Sequence, residues 1–194
     1  TSLVGSEMCI RDRNGIPHWY FHKLDNKYAN YKIKCLDPNL LIDAILPPDN
    51  IVGSVVYPAC EIVKPGTIKH IAGNRFSLGE PEGSESDRLK FISDILKRAG
   101  FRAPIQKNIR DEIWLKLIGN LSFNPISALT GATLEQICND QGTEAIVRAM
   151  MTEAKMIAEE LGAKINMSIE KRIDGARKVG AHKTSMLQDI EAGK

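Results

Sequence analysis

The chain has 194 residues, of which 43% are hydrophobic and 26% are charged, and its formal net charge is +2 at pH 7. This length can bury a sizeable core as one domain or as two small ones, and no basic block typical of nucleic-acid binding interrupts the evenly mixed charges. Since the apolar stretches are far shorter than the ~18 to 20 residues that span a bilayer, we expect neither a nucleic-acid nor a membrane partner.

The N-terminal part of the chain has two differently patterned segments. Residues 1–13 show no hydrophobic periodicity and no signal-peptide pattern, and we expect them to be a non-native leader. From Asn14 to about Leu46 the pattern is mixed, with an aromatic cluster at 19–21 and a short helix predicted over about 39–46. Pro47 and Pro48 end that helix.

Three β-strands and one helix are predicted next. Residues 51–57 are rich in β-branched side chains, and segments 67–72 and 75–78 flank Gly73-Asn74 as a predicted hairpin. A helix capped by Ser84 or Ser86 is predicted to run to Ala99 and to end at Gly100. Its expected buried stripe is formed by Leu89, Ile92, Ile95 and Leu96.

Beyond residue 105 the sequence is typical of helices alone. Helices are predicted over 108–125, 133–138, 143–161 and 168–179, and another begins at 185. The charged run Glu170-Lys171-Arg172 is predicted to lie on a solvated helix face, and Met150, Met151 and Met156 are expected in the core or in subunit packing. The shift in composition near Pro104 divides the chain into an α/β domain, residues 14–105, and a truncated all-α domain, residues 106–194.

The helix over 108–125 carries a line of polar side chains. Lys116, Asn120 and Asn124 are spaced four apart, so they drift by only about 80° around the helix and share one face. Trp114 and Ile118 fall on the opposite side of a helix that is apolar enough to be buried. Buried polar groups need partners, and a polar ligand would supply them.

These side chains suit the chemistry of a keto group. A protonated Lys116 can donate a hydrogen bond to a carbonyl oxygen and release its proton as negative charge develops there. Asn120 and Asn124 can bind hydroxyl and carboxylate groups. The spacing alone leaves open the alternative that Lys116 is a surface residue and that both asparagines bond to neighbouring loops.

A second group of polar residues begins the last predicted helix. Ser185 followed by Gln188 matches a capping box, and the free amides of the helix start, with Lys183 nearby, could bind a carboxylate. The pattern alone fits an ordinary helix cap, although a cap and an anion site can coexist.

The four cysteines give no sign of a metal centre or a disulfide framework. Cys9, Cys35, Cys60 and Cys138 show neither CxxC pairing nor metal-ligand spacing. This usage is typical of a reducing cytoplasm, so we expect a cytoplasmic protein without a metal site.

Five segments resemble those of the ketopantoate reductase (2-dehydropantoate 2-reductase) family in order and rough spacing. They are 14–17 (NGIP), 57–59 (YPA), 65–70 (PGTIKH), the helix of 108–125 and 184–189 (TSMLQD). The resemblance covers residues 14–194. It implies an α/β plus all-α chain, in which the C-terminal remnant of a Rossmann-type, NADP-binding domain precedes a truncated helical substrate and dimerisation domain like that of 6-phosphogluconate dehydrogenase.

The resemblance also implies roles for the polar residues. Lys116 matches the family's proton donor to the keto oxygen during hydride transfer. Asn120 and Asn124 match its substrate-binding asparagines, and Ser185 matches the serine that holds the substrate near its carboxylate.

At the domain junction, Asn14 matches an asparagine that touches both cofactor and substrate, and Ala59 matches a backbone contact to the cofactor. Leu134 departs from the family pattern, since it stands where some members have a further substrate-binding asparagine. The glycine-rich loop of the cofactor site and the acidic residue beyond the Ser185 helix are also absent from the sequence.

The implied function is the NADPH-dependent reduction of 2-dehydropantoate to (R)-pantoate, a step toward pantothenate and coenzyme A. The chain is expected to be a fragment that is inactive alone, and a homodimer is a candidate assembly. Two alternatives remain open: a reductase of another 2-keto acid in the same family, and a non-catalytic helical module for dimerisation.

Overall fold

The computed structural model describes residues 15–193, so the predicted leader and Asn14 lie outside the described residues. The described chain divides into two compact units. The N-terminal unit comprises Ile16–Ile113, and the helical unit comprises residues 114–193 together with Gly15. No helix among the described residues combines the length and the apolar composition that crossing a membrane requires.

The N-terminal unit contains two separate antiparallel strand pairs. Strand β1 (Gly53–Val56) pairs with β4 (Phe76–Gly79), and β2 (Ala59–Lys64) pairs with β3 (Thr67–Ala72). A short helix, α1 (Leu41–Ile45), and a 3-10 turn (Pro48–Asn50) precede them. The predicted strands are therefore confirmed.

The predicted hairpin across Gly73-Asn74 is wrong, because β3 pairs with β2 instead of β4. The turn between β2 and β3 is formed by Pro65 and by Gly66, whose φ is +77°. Proline followed by a glycine with positive φ is a strong turn signal. Strand β2 was not predicted because its Ala, Glu and Lys residues have low β propensity.

After β4 the chain forms a parallel strand–helix–strand arrangement. Helix α2 (Asp87–Arg98) follows β4, and residues 102–106 then return beside that strand. The Phe76 amide donates to the Arg102 carbonyl over 2.8 Å, and the Leu78 amide donates to the Pro104 carbonyl over 2.9 Å. A helical crossover between parallel strands is the repeating unit of Rossmann-type sheets.

Helix α2 has the cap and the end that its sequence predicts. The Ser86 side chain accepts a hydrogen bond from the Leu89 amide over 3.1 Å, and Gly100 follows the helix with a φ of +89°. Leu89 is buried against Leu78, but Ile95 is 49% exposed, so the predicted buried stripe is wrong at that position. Ile92 and Leu96 pack against the same cluster as Leu89, whereas Ile95 is not part of it.

Glu80, directly after β4, is a buried charged residue. Its carboxylate accepts hydrogen bonds from the Ser86 hydroxyl and, over 2.8 Å, from Arg88 Nε. Arg88 also donates to the carbonyls of Asp49 and Ile51, over 2.7 and 3.1 Å. The hydrogen bond from Arg88 holds the pKa of Glu80 below its ordinary value, so this ion pair joins the end of β4 to α2 and to the turn before β1.

Helix α3 (Ile109–Thr130) begins in the N-terminal unit. Ile109 and Ile113 pack in a core cluster with Trp19 and Val55. The guanidinium of the buried Arg110 donates to two carbonyls of the segment at 20–22, with Nε 2.6 Å from the Tyr20 oxygen. Apolar packing and charged hydrogen bonds thus both fix the first turns of this helix.

Glu112, one residue further, binds three side chains of the same unit. Its carboxylate accepts hydrogen bonds from the Tyr57 hydroxyl at 2.9 Å, from Arg75 Nη2 at 2.8 Å and from the Ser77 hydroxyl at 3.0 Å. Its side chain is only 12% exposed. The donors to this carboxylate therefore come from β4 and from the residues directly after β1 and directly before β4.

The helical unit contains the rest of α3 and four further helices. They are α4 (Leu134–Asn139), α5 (Gln141–Glu160), α6 (Ile169–Val179) and α7 (Ser185–Glu191). Each was predicted within a few residues of its observed ends. Helix α4 packs against both α5 and α6, and Met151 is buried while Met156 is 66% exposed.

The cap of α7 differs from the predicted one. Thr184 is the N-cap, and its hydroxyl accepts a hydrogen bond from the Leu187 amide over 3.3 Å. Ser185 is the first residue of the helix, and the Gln188 side chain donates to the Lys183 carbonyl over 2.9 Å. The predicted Ser185–Gln188 capping box is therefore wrong, because the buried Thr184 takes the cap position instead.

Replacing Glu80 with glutamine should destabilise the N-terminal unit. Because hydrogen bonds to charged groups contribute about 1.5–3 kcal/mol, we expect Glu80→Gln to lower the free energy of unfolding by that amount at neutral pH. The folded pKa is depressed, so this contribution is present above the ordinary pKa of 4.5 and lost as pH falls through the folded value. Urea unfolding at several pH values measures it. Glu85→Gln, an exposed change in the same loop, is the control, and equal stability of the two variants would contradict the prediction.

Two neighbouring substitutions separate the cap of α7 from the residue beside it. Thr184→Ala should lower the free energy of unfolding of the helical unit by about 1 kcal/mol, since it removes an N-cap side chain. Ser185→Ala, at an exposed position inside the helix, should change it by less than about 0.5 kcal/mol. Urea unfolding of both variants provides the comparison. A larger loss in Ser185→Ala would identify Ser185 as the effective cap.

Candidate active site

The helical unit contains a cavity of about 540 Å³ lined by residues of α3, α6 and the segment that begins α7. Asn120 and Asn124 line it from α3, and Ser185 lines it from the first position of α7. Three side chains that the sequence analysis selected from distant segments thus meet at one cavity. Leu134, the departure from the family pattern, also lines it.

Lys116 lies one helical turn before Asn120 and is half-buried. Burial lowers the pKa of its amine below the ordinary value. Lys116 is not among the residues that line the cavity, and the spacing of four residues puts it on the face of α3 that carries Asn120 and Asn124.

The guanidinium of Arg172 lies against Gly119 of α3. A methyl group built at Gly119 would come within 2.9 Å of Arg172 Cζ and 3.0 Å of Nε. Because position 119 has no side chain, a cation from α6 reaches the α3 backbone. Arg172 is half-buried and lines the cavity, so the prediction of a solvated face for 170–172 is wrong at this residue.

A pattern in α6 could have identified Arg172. The cavity is lined by Arg172, Gly175, Ala176 and Val179, which follow the three- and four-residue spacing of one helix face. A charged run alone is typical of a solvated face, and only the small residues that follow at this spacing distinguish Arg172 from its neighbours. The sequence of α6 alone does not show that the Arg172 guanidinium lies against Gly119 of α3.

The remaining lining makes the cavity suitable for an anion with an apolar part. Lys171 and His182 add polar groups, and Phe123, Met167 and Val179 add apolar surface. None of the described residues that line the cavity is acidic. An excess of cationic groups favours negatively charged ligands.

The expected contribution of Lys183 is not observed. Its amine forms an ion pair with Glu191, at 2.6 and 2.9 Å from the two carboxylate oxygens. Ala59, the predicted backbone contact to the cofactor, is the exposed first residue of β2 in the N-terminal unit. Asn14 lies outside the described residues, and within 15–193 no group of three or more His, Cys, Asp or Glu side chains could hold a metal ion.

Comparison with known proteins identifies the family. A family model described as the ketopantoate reductase PanE/ApbA C terminal matches residues 108–194. A 2-dehydropantoate 2-reductase of Mesorhizobium japonicum is 50% identical over 182 residues, which are 94% of this chain and 56% of that protein. The chain therefore spans about half the length of this curated relative.

Solved structures agree with the sequence comparison. A crystal structure of a candidate ketopantoate reductase from Ralstonia solanacearum MolK2 is 40% identical with a TM-score of 0.86, covering 90% of this chain and 54% of that one. A D-mandelate dehydrogenase solved with NADH is 18% identical with a TM-score of 0.68, covering 78% and 52%. At that identity the likeness shows the fold alone.

These similarities confirm the predicted fold class, the remnant of a Rossmann-type domain followed by a helical domain. They extend from the strands of the N-terminal unit through the helices that line the cavity. The chain belongs to the ketopantoate reductase family.

Proposed function

We propose that this chain is part of a longer cytoplasmic reductase that converts 2-dehydropantoate into (R)-pantoate with NADPH, a step toward pantothenate and coenzyme A. The observation that carries the proposal is the convergence of Asn120, Asn124 and Ser185 on one cavity, whose lining within residues 15–193 includes no acidic side chain. The substrate is an anion with keto and hydroxyl groups, and these side chains match it in charge and hydrogen bonding.

The N-terminal unit fits half of a dinucleotide-binding domain. The crossover from β4 through α2 to residues 102–106 has the parallel connection of such domains, and Ala59 is the proposed backbone contact. The 194 residues contain no glycine-rich phosphate-binding loop, so the main cofactor site requires chain outside this sequence. When bound, NADPH supplies the hydride that the keto carbon accepts.

Lys116 is the proposed proton donor. As the keto carbon becomes tetrahedral, its oxygen gains a negative charge and takes a proton from the ammonium group of Lys116, which becomes a neutral amine. Burial lowers the pKa of Lys116, which makes the ammonium a better acid at neutral pH. Asn120 and Asn124 orient the substrate, and Ser185 donates to its carboxylate.

A reductase of another 2-keto acid in the same family is the second candidate. Leu134 places an apolar side chain in the cavity lining, where some family members have an asparagine. An apolar lining residue favours a substrate with a hydrocarbon group at that place. Because one methylene changes binding by only ~1 to 3 kcal/mol, a panel of 2-keto acids decides the substrate.

Turnover can be tested in a hybrid reductase, in which residues 14–194 of this chain replace the matching segment of the M. japonicum relative. We expect this hybrid to oxidise NADPH in the presence of 2-dehydropantoate. Lys116→Ala should lower kcat by about 100-fold or more, the effect of removing a positioned general acid. Absorbance at the NADPH band measures the rate, and NADH run in parallel tests the choice of cofactor.

Lys178→Ala, which removes an exposed lysine of α6, is the matched control and should retain full activity. The 194-residue chain alone should oxidise no NADPH. Unchanged turnover in Lys116→Ala would show that Lys116 is not the proton donor, whereas a folded hybrid that binds NADPH and oxidises none would support the non-catalytic helical module. If the hybrid reduced a different keto acid and not 2-dehydropantoate, the proposed role of Lys116 would stand and the assigned substrate would be wrong.

The lowered pKa of Lys116 predicts a pH dependence of stability. Between the folded pKa and the ordinary value of 10.5, the unfolded chain holds the Lys116 proton and the folded chain has released it. The free energy of unfolding therefore gains a contribution from Lys116 that rises with pH across this window. Urea unfolding at several pH values should show that the free energy of unfolding rises less with pH in Lys116→Met, whereas Lys178→Met should retain the full rise. Identical pH profiles for the two variants would contradict it.

A further inference from the structure

We propose that Arg172 binds the carboxylate of the keto-acid substrate and is the residue by which the cavity selects acids over uncharged carbonyl compounds. The inference rests on the proposed function, since it names the partner for one end of the same substrate. The resemblance to the family provided Ser185 for this end and no cation.

The position of Arg172 brings positive charge to the face of α3 where the reaction is proposed. Its guanidinium lies against Gly119, the residue directly before Asn120. Gly119 is three residues after Lys116, which is about 4.5 Å along a helix axis. In a 2-keto acid the carboxylate and the keto group are on adjacent carbons, so a carboxylate held at Arg172 keeps the keto group near this turn of α3.

Arg172 borders two spaces in the helical unit. Besides the cavity, it lines a small, mostly apolar pocket together with Leu115, Ile118, Met151 and Ile169. Its guanidinium lies against Gly119, and the residue is half-buried. Neighbours on both sides restrict the side chain, and such restriction favours the preorganisation that a binding site requires.

Burial distinguishes Arg172 from Lys171 and His182, the other basic residues among those described at this cavity. Lys171 and His182 also line it but are exposed, whereas Arg172 is half-buried. Electrostatic attraction strengthens as solvent is removed. A guanidinium also presents a planar fork of donors that pairs with both oxygens of a carboxylate, whereas the Ser185 hydroxyl donates one hydrogen bond.

The test compares an acid with its carboxamide in the hybrid reductase. For 2-dehydropantoate, Arg172→Met should raise KM by about 10- to 100-fold, because a charged pair is lost. For the carboxamide of the same keto acid, KM should change by less than about 2-fold. Arg172→Lys keeps the charge without the fork and should give an intermediate KM for the acid. Lys178→Met removes a charge from the exposed side of the same helix and should leave both KM values unchanged.

Gly119→Ala provides a second route that leaves Arg172 itself in place. Its methyl group would collide with the guanidinium, while alanine is the better helix former by about 0.5–1 kcal/mol. The variant should therefore fold and still raise KM for the acid selectively. Equal losses for acid and carboxamide in both variants would show that Arg172 only shapes the cavity and would overturn the inference.

An unsubstituted hybrid that reduces no 2-keto acid would overturn the proposed function without deciding the carboxylate site. The 194-residue chain then decides it, through NMR titration of its backbone amides with pyruvate and with pyruvamide. Saturable shifts around Gly119 with pyruvate, weakened in Arg172→Met and absent with pyruvamide, would support the site. The carboxylate site would be overturned if pyruvate did not bind, or if it bound equally to the unsubstituted chain and to Arg172→Met.

Discussion

The register of α3 depends on the Glu112 carboxylate and its three side-chain donors, Tyr57, Arg75 and Ser77. A charged group this poorly exposed is costly unless its hydrogen bonds are satisfied, so the helix cannot rotate without losing them. Arg110, which donates to two carbonyls, constrains the same turn in the same way. Each residue advances the helix by about 100°, so a slip of one residue would break these hydrogen bonds.

The polar face lies on the part of α3 that belongs to the helical unit. Lys116, Asn120 and Asn124 share one side of this helix because they are spaced four residues apart. Trp114 and Ile118 are buried on the other side. Apolar packing within the helical unit therefore specifies the direction of the polar face.

Gly119 explains why a helix that is otherwise well suited to its fold contains a weak helix former. A glycine inside a helix costs about 0.5–1 kcal/mol relative to alanine, and nothing in the local sequence of α3 requires one. The cost is offset at the cavity, where the missing side chain lets the Arg172 guanidinium approach the backbone. Local propensity is thus subordinate to a contact between two helices.

The sequence predicted what local patterns determine. The helices of the C-terminal half followed from their periodicity, and two of them begin one residue after the predicted start, because Thr133 and Ser168 are their N-caps. The fold class followed from the resemblance. The pairing of β3 with β2 depends on a strand of low β propensity and could not be read from the single strands. Between Thr184 and Ser185, two adjacent residues able to cap, tertiary burial made the choice.

Arg172 belongs to a different class of omission, because its environment is made by a residue on another helix. A charged run on an amphipathic helix has a solvated side by default, and the sequence of α6 alone cannot show that Gly119 leaves space opposite it. The spacing of Gly175, Ala176 and Val179 marks the face of α6 that carries Arg172, but the contact with Gly119 becomes visible only when both helices are placed. The Lys116, Asn120 and Asn124 face was recognisable because a single helix carries all three.

The charges of the cavity also bear on the proposed role of the half-buried Lys116 as a proton donor. Arg172 and Lys171 contribute positive charge, none of the lining residues that the structure describes is acidic, and burial already lowers the pKa of Lys116. An incoming carboxylate reverses part of this, since a nearby anion favours the charged form of an amine. The substrate's own carboxylate would thus help to keep Lys116 protonated until the keto oxygen develops the charge that takes the proton. In the proposed reaction, recognition of the acid and donation of the proton would therefore depend on one arrangement of charges.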